Sequence, residues 1–480
     1  MERISRTLTA AMLVIFALLF GLALLLGGCQ PEHLSYCVAF ALGVAGAAVY
    51  ALWQRRPRTG PTLWERLGSR WTAALLLCLC FLLNLAWVLY FRLEPAVDYA
   101  TFWNAAVELA AGEPLSNRVY IALFPHILGY ASFLSLFLRL FGTGALVAPI
   151  LNVCLTTLSG FFLYRLALRW RGENSAAMVL LIWGLFPSKM FYNAMVLSEP
   201  YYTCLLLAAL WLTAETEARG PKLLGAVLTG ALAGLLLRLV YTARPIAAIP
   251  ILALLIWVLL LRGKRGKEPR RTWLGYTAAL LAVYLLTGPL WNAWAVRVLG
   301  EEPAPVPGYS IYVGVNPDSL GSYSNEDMQR LQDLRGPAEG GNAVEAQRQI
   351  LHEAGERLRS GEVPIGKLLV TKLRNLLGYD EGGAFYSRAG LRDRAYQVMA
   401  LYSNVWYYAL GILALWGCWR LLRAVEQRTV LLAPLYVIGL TLAHMLVEVS
   451  ARYHYSAVPM LILLAAFSYT RPYRRMGAEP

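Results

Sequence analysis

Apolar stretches of about twenty residues recur along the chain and alternate with short polar connections. A run of about 20 apolar residues is long enough to cross the hydrocarbon core of a bilayer as an α-helix. The pattern therefore predicts an all-α, polytopic membrane protein with about twelve transmembrane helices. The expected spans cover roughly residues 9–28, 34–53, 72–92, 145–168, 176–197, 200–214, 222–241, 245–262, 273–291, 401–420, 429–447 and 455–470.

The basic residues in the connections orient this bundle. Every connection that must lie on the same side as Arg3 and Arg6 carries Lys or Arg. Because an excess of Lys and Arg marks cytoplasmic loops, both termini are predicted to be cytoplasmic in a multi-pass protein of the cell membrane. The basic segments are residues 55–58, 169–171, 219–222, 262–271, 420–428 and 471–475.

Residues 121–141 (IALFPHILGYASFLSLFLRLF) are apolar enough to span, but counting them would place the later basic loops outside. Pro125, His126 and Arg139 also make this segment a less suitable span. We therefore expect a helix that lies in the outer interface or dips into it.

The spans divide the chain into four regions. Two long segments face outward in this topology, and the larger is the only large polar region of the sequence. It contains a helical stretch at 343–359 and an amphipathic one at 364–377 that could rest on the membrane surface. The regions are residues 1–71, two helices and a basic cytoplasmic loop; 72–291, the core with the first outer loop at 93–144; 292–400, extracytoplasmic; and 401–480, the last helices and a basic tail.

The amino-acid composition further narrows the class of protein. Of the 480 residues, 58% are hydrophobic and 15% are charged, whereas about 25% are charged in a typical soluble domain. These figures argue against a soluble globular enzyme, a disordered chain and a secreted disulfide scaffold. The formal net charge of +14 comes from basic residues between apolar runs, so no nucleic-acid partner is predicted.

Ionisable residues collect at the outer ends of the predicted spans. Each is a functional candidate, because a charge near the membrane is costly. The topology places these residues on one side of the membrane at similar depth. They are Asp98 after the third span, Glu199 at the start of the sixth, Arg244 after the seventh, and Glu448, Arg452 and His454 between the last two.

This set of residue types suits chemistry on a lipid phosphate. An Asp can accept a proton from an attacking hydroxyl, and Arg and His can hold a phosphate. Structural roles compete for the same residues. Glu448 and Arg452 are four apart and could form a helical ion pair, Arg244 could anchor a helix end, and Glu199 could be a first-turn helix acid.

At these positions the sequence resembles the GT-C glycosyltransferases, in particular the branch of the protein O-mannosyltransferases and aminoarabinose transferases. The likeness extends over about residues 72–470, so the first two spans look like an N-terminal addition. It is carried by Asp98-Tyr99-Ala100-Thr101-Phe102 with Ala105, Leu109 and Gly112, by Phe124-Pro125-His126 with Gly129-Tyr130, by Leu197-Ser198-Glu199-Pro200, by Ala243-Arg244-Pro245, by Tyr312-Val313-Gly314-Val315-Asn316 with Gly321, and by Arg452-Tyr453-His454 with Pro459.

The resemblance implies a polyprenyl-phosphate sugar donor and an inverting transfer to an envelope glycan, lipid or protein. Asp98 would be the catalytic base. The substrate-binding positions would be Glu199 at the sugar, Arg244, Arg452 and His454 at the phosphate, and Lys372, Tyr99 and His126 nearby.

Asp98 is followed by Tyr99, where many mannosyltransferases carry a second acid. The sequence also contains no dense cluster of metal ligands, so neither a metal nor another cofactor is expected.

The leading hypothesis is therefore an integral membrane glycosyltransferase whose active site is extracytoplasmic. A transporter or flippase for a lipid-linked or amphipathic substrate is the alternative. It explains the number of spans, but transporters tend to place their sites near the middle of the bilayer.

Overall fold

The computed structural model describes residues 2–30, 32–56, 60–96, 98–220, 222–262, 270–336, 341–425 and 428–470. The basic tail 471–475 and parts of the predicted basic segments 55–58, 219–222, 262–271 and 420–428 lie outside these ranges.

The regular secondary structure in the described ranges is helical. The elements up to residue 299 are α1 (Glu2–Gly28), α2 (Leu34–Arg55), α3 (Leu63–Tyr90), α4 (Asp98–Ala111), α5 (Arg118–Leu123), α6 (His126–Phe141), α7 (Val147–Arg171), α8 (Glu173–Leu185), α9 (Pro187–Asn193), α10 (Glu199–Arg219), α11 (Leu223–Ala243), α12 (Ala248–Ile256), which continues as a π-turn (Trp257–Leu261), and α13 (Arg270–Leu299).

The remaining elements form the large polar region and the C-terminal helices. They are α14 (Gly308–Gly314), α15 (Asn325–Arg335), α16 (Ala343–Arg359), α17 (Ile365–Leu377), α18 (Gly382–Tyr386), α19 (Asp393–Ala424), α20 (Leu432–Leu446), a 3-10 turn (Ala451–His454) and α21 (Ala457–Ala465).

The predicted fold class, an all-α polytopic membrane protein, is confirmed. Eight helices in the described ranges are long and apolar enough to cross a membrane, namely α1, α2, α3, α7, α11, α13, α19 and α20 with the turn before it. The pair α8 and α9, bent by 53° at Phe186, is a ninth candidate. The other three expected spans coincide with α10 and with the shorter apolar helices that contain α12 and α21.

The helix ends differ from the hydropathy boundaries where local signals extend a helix. Helix α3 begins well before the expected span because Thr62 and Glu65 form a capping box, and it kinks at Gly68, whose φ is +73°. Helix α19 also begins before the apolar run that predicted it, at Asp393, although no side chain caps its start. The apolar pattern locates the membrane-embedded part of a helix, whereas a cap can extend the helix beyond that part.

The segment 121–141 is not one continuous helix. It breaks between α5 and α6 at Phe124, because a residue before proline disfavours the helical conformation. Helix α6 packs against α4 and α11. Gly129 makes this close approach possible, since a Cβ there would lie 2.0 Å from the carbonyl oxygen of Thr242. The packing brings the start of α6 beside the end of α11.

The outer-loop motif at 312–316 is a structural junction. A Cβ on Gly314 would lie 2.4 Å from the carbonyl oxygen of Leu446, so α14 packs directly on the end of α20. The Asn316 amide donates to Asp327, which accepts two hydrogen bonds from Arg357. The contact at Gly314 attaches the polar region between α13 and α19 to α20, and the hydrogen bonds of Asp327 join segments within that region.

Replacing Gly129 by Ala should destabilise the protein, because the new methyl group overpacks the contact between α6 and α11. Overpacking typically costs about 1–3 kcal/mol, so the apparent melting temperature of the detergent-solubilised protein should fall by several degrees.

Gly46→Ala is the matched control, because no atom lies within 4 Å of a Cβ at that position in α2. The control should melt at or slightly above the temperature of the unmodified protein. Equal melting temperatures for the two variants would contradict the close approach at Gly129.

Candidate functional site

A cavity of about 410 Å³ lies where several helix ends converge. Asp98 is the first residue of α4 and Glu199 is the first residue of α10. Arg244 directly follows α11, and Arg452 lies in the 3-10 turn after α20. All four side chains line the cavity, whose volume is in the range that binds small molecules.

Two arginine–carboxylate pairs form the charged wall of the cavity. Arg244 Nη2 donates to Glu199 Oε1 at 3.0 Å, and Arg452 Nη2 donates to Asp98 Oδ2 at 3.0 Å. The Glu199 side chain is 1% exposed, whereas that of Asp98 is 44% exposed. Of the two carboxylates, Asp98 is therefore the one that a molecule in the cavity can reach more easily.

Each pair leaves a buried polar atom without a hydrogen-bond partner among the described residues. These atoms are Glu199 Oε2, an acceptor, and Arg452 Nε, a donor. An unsatisfied buried polar group is costly and calls for an explanation. A bound molecule that offers both a hydroxyl and an anion would satisfy the two atoms.

Tyr453 and Glu448 complete this wall. The Tyr453 ring centroid lies 4.9 Å from the Arg244 guanidinium and 5.6 Å from that of Arg452. The Tyr453 hydroxyl donates to Glu448 Oε1 at 3.3 Å. Burial raises the pKa of Glu448 above its ordinary value and outweighs the opposing effect of Arg452. The wall thus contains a third carboxyl group, which is easier to protonate than an exposed one.

The proposed helical ion pair between Glu448 and Arg452 does not form. Helix α20 ends at Leu446, so the two residues do not share a helix. Glu448 instead donates its backbone N–H to the carbonyl oxygen of Ser310 in α14, and Arg452 pairs with Asp98.

The other walls of the cavity carry no formal charge. One side is apolar and aromatic and comes from the region of α11, α12 and α13. Another side comes from α5, the residue after it and the polar region after α13. The first set is Tyr241, Thr242, Pro245, Ile246, Ala248, Ile249 and Trp291, and the second includes Tyr120, Leu123, Phe124, Pro305, Tyr309, Tyr323 and Gln347.

Two further residues singled out in the sequence lie at or behind this cavity. His126 begins α6 and lines the cavity beside Phe102 and Phe124. Tyr99 is not among the residues that line it. The Tyr99 ring contacts Tyr386, whose own ring lies 5.3 Å from the Arg452 guanidinium. Tyr99 is thus placed to support Arg452 through Tyr386, from outside the cavity lining.

His454 lies in a separate buried cluster. His454 Nε2 is 3.2 Å from Asp380 Oδ1, and that oxygen also accepts a hydrogen bond from the Ser188 hydroxyl. Both His454 and Asp380 are buried beside a small cavity of about 10 Å³. The structure therefore places His454 at the base of the turn that carries Arg452, outside the lining of the large cavity.

Lys372 is also outside that lining. Its ammonium group donates to the carbonyl oxygens of Gly314 and Met445 at 2.7 and 3.0 Å. Burial lowers the pKa of Lys372 to about 8. The side chain passes close to Gly321, whose φ of +82° favours glycine. Lys372 thus joins α17 to the ends of α14 and α20.

Several cavity residues were not assigned to a site from the sequence. The sequence marks Glu448 as one of the candidate ionisable residues and Tyr453 as part of the Arg452-Tyr453-His454 pattern, but it predicts no specific role in the site for either. Tyr309 and Gln347 lie in the polar region, far from the other site residues in the chain, and the sequence contains no local signal for them. Only packing reveals their position, because Gln347 bridges the Tyr309 N–H and the carbonyl oxygen of Leu123.

The described ranges contain no group of three or more His, Cys, Asp or Glu side chains arranged to hold a metal ion. The carboxylates of the cavity are instead paired with guanidinium groups.

Comparison with protein family models and with curated protein sequences finds no match. Solved structures are similar to the chain in part. The oligosaccharyltransferase AglB from Archaeoglobus fulgidus, in complex with an inhibitory peptide and a dolichol-phosphate, is 13% identical over 82% of this chain and 50% of its own, with a TM-score of 0.47. ArnT from Cupriavidus metallidurans, bound to undecaprenyl phosphate, is 13% identical over 83% of this chain and 76% of its own, with a TM-score of 0.31.

The chain spans about half the length of the oligosaccharyltransferase that it matches.

Replacing Lys372 by Met should lower the melting temperature, because the carbonyl oxygens of Gly314 and Met445 lose their donor. Unsatisfied buried acceptors cost about 1–3 kcal/mol each. Lys367→Met is the matched control, since Lys367 is exposed on the same helix. An unchanged melting temperature in Lys372→Met would exclude this structural role.

Proposed function

We propose that the protein is a membrane glycosyltransferase that moves a sugar from a polyprenyl phosphate to a hydroxyl of an envelope glycan, lipid or protein. The observation that carries this proposal is the placement of Arg244 and Arg452 around one cavity, each beside a carboxylate. The resemblance of the same residues to the GT-C pattern supports it. No metal or other cofactor enters the proposed reaction.

The guanidinium groups would bind the phosphate of the donor. Arg is suited to this role because its planar donors match phosphate oxygens and its charge persists at all physiological pH values. The unpartnered Arg452 Nε offers a hydrogen bond in addition to the one that Asp98 receives. The apolar side of the cavity, with Ile249 and Trp291, would accommodate the start of the lipid chain.

The transfer would proceed by direct displacement with inversion. Asp98 takes the proton of the acceptor hydroxyl as its oxygen forms a bond to the anomeric carbon of the sugar. The bond between that carbon and the phosphate oxygen breaks, and its electrons leave with the lipid phosphate. Arg244 and Arg452 stabilise the negative charge on the departing group.

The remaining candidates would bind substrate or support the site. Glu199 would accept a hydrogen bond from the sugar through its unpartnered Oε2 while it holds Arg244. His126 would line the substrate site, and Tyr99 would support Arg452. His454 and Lys372 would hold the turn and helix ends that surround the cavity.

The site would open to the extracytoplasmic face, with both termini in the cytoplasm. This orientation follows from the basic connections, which by the positive-inside rule lie opposite the ends that carry Asp98 and Arg244.

A transporter or flippase for an amphipathic lipid is the alternative. Its supporting observation is a cavity that joins charged and apolar walls. Incubating the purified protein with a labelled polyprenyl-phosphate sugar separates the two functions. Acceptor-dependent release of free lipid phosphate indicates transfer, whereas translocation in vesicles without cleavage indicates transport.

Asp98→Asn should lower the transfer rate by about 10²–10⁴-fold, because the amide cannot take the acceptor proton. The variant should remain folded, because the amide oxygen can still accept the hydrogen bond from Arg452, and it should keep its affinity for undecaprenyl phosphate. The measurement is single-turnover transfer with the purified protein. Full activity in a folded Asp98→Asn protein would remove Asp98 as the base.

Arg244→Ala and Arg452→Ala should each weaken the binding of undecaprenyl phosphate at least about tenfold, because each variant removes a charge that would pair with the phosphate. Truncating one member of such a buried charge pair typically costs about 2–5 kcal/mol. Arg359→Ala, an exposed position on α16, is the matched control. Unchanged affinity in both cavity variants would rule out the phosphate site.

A further inference from the structure

Tyr453 is the one side chain in the described ranges whose ring lies within cation–π distance of both cavity arginines. The ring centroid is 4.9 Å from the guanidinium carbon of Arg244 and 5.6 Å from that of Arg452. The ring of Tyr386 is near Arg452 alone. A cation within about 6 Å of an aromatic centroid is attracted by the ring quadrupole.

Without this ring, two forces would separate the arginines. Their like charges repel each other, and water screens that repulsion poorly in a buried site. Each guanidinium is also attracted to a different carboxylate, Arg244 to Glu199 at the start of α10 and Arg452 to Asp98 at the start of α4. The shared ring therefore counteracts both forces.

The orientation of the ring is fixed from the polar region of the chain. The Tyr453 hydroxyl donates to Glu448, and the Glu448 backbone N–H donates to the carbonyl oxygen of Ser310 at 2.6 Å. The neighbouring residue, Val449, donates its N–H to the carbonyl oxygen of Gly321. Helix α14 and the segment after it thus hold Glu448 where it accepts the phenolic hydrogen.

We propose that Tyr453, oriented by Glu448, is a positioning residue that holds Arg244 and Arg452 together so that both can bind one phosphate group. The inference rests on the proposed function for the identity of the ligand as a lipid phosphate. It assigns to Tyr453 no contact with the reacting atoms. Its action is through the two guanidinium groups.

The test measures binding of undecaprenyl phosphate, with uncharged undecaprenol as the reference ligand, to the full-length protein in detergent. Tyr453→Leu and Tyr453→Met remove the ring and should weaken undecaprenyl phosphate binding about tenfold, with no change for undecaprenol. Two non-aromatic variants are used so that a folding defect in one does not decide the outcome.

Tyr453→Phe keeps the ring and loses only the hydroxyl, so it should retain affinity to within about threefold. Glu448→Gln keeps a hydrogen-bond acceptor for the hydroxyl and should behave in the same way. If Tyr453 acted through packing alone, Tyr453→Leu and Tyr453→Met would lose affinity equally for undecaprenyl phosphate and for undecaprenol, and this result would overturn the positioning role. Tyr402→Leu, an exposed tyrosine on α19 outside the cavity, is the matched control.

The outcomes separate the two proposals. If folded Tyr453→Leu and Tyr453→Met bind undecaprenyl phosphate as tightly as the unmodified protein while Arg244→Ala and Arg452→Ala do not, the positioning role is wrong and the phosphate site stands. If the arginine variants also bind normally, the proposed function itself is wrong. A Tyr453→Phe variant as weak as Tyr453→Leu would assign the effect to the hydroxyl and overturn the role of the ring.

Discussion

The cavity depends on the neutralisation of two guanidinium groups at the ends of membrane helices. Arg244 and Arg452 are largely buried, and a buried charge is tolerated only when it is paired. Their partners, Glu199 and Asp98, each stand at the first position of a helix, where the helix dipole favours a negative charge. The pairs therefore join the start of α10 to the end of α11 and the start of α4 to the turn after α20.

These pairs contribute to specificity of structure more than to stability. Moving two charges from water into the protein costs desolvation free energy, which offsets much of the attraction between them. The stability of the bundle comes from its apolar contacts, such as the packing of α11 on α13 and of α2 on α19. The ion pairs instead set which helix ends face one another, and they leave Glu199 Oε2 and Arg452 Nε available to a ligand.

The polar region between α13 and α19 has two roles in this arrangement. It closes one side of the cavity with uncharged residues such as Tyr309 and Gln347. It also fixes the segment after α20, because Ser310 and Gly321 accept backbone hydrogen bonds from residues 448 and 449. The same region therefore lines one side of the cavity and holds in place the segment that carries Glu448 in the charged wall.

The sequence by itself determined that the chain is an all-helical membrane protein, because a bilayer imposes apolar runs of a fixed length on every span. Alternation of basic loops also predicted that Asp98, Glu199, Arg244 and Arg452 lie on the same side of the membrane, which is a condition for their meeting in one cavity. Helix ends were less predictable, since the capping box before α3 and the break at Phe124 are local features outside the hydropathy signal.

Only the tertiary structure decided which partners these residues have. The sequence offered Glu448, four residues away, as the partner of Arg452, but the structure pairs Arg452 with Asp98 because α20 ends before Glu448. It also placed His454 and Lys372 in buried contacts outside the cavity lining. Hydropathy fixes depth along each helix, whereas the choice among nearby charges depends on helix rotation and turn geometry, which arise from side-chain packing across the whole bundle.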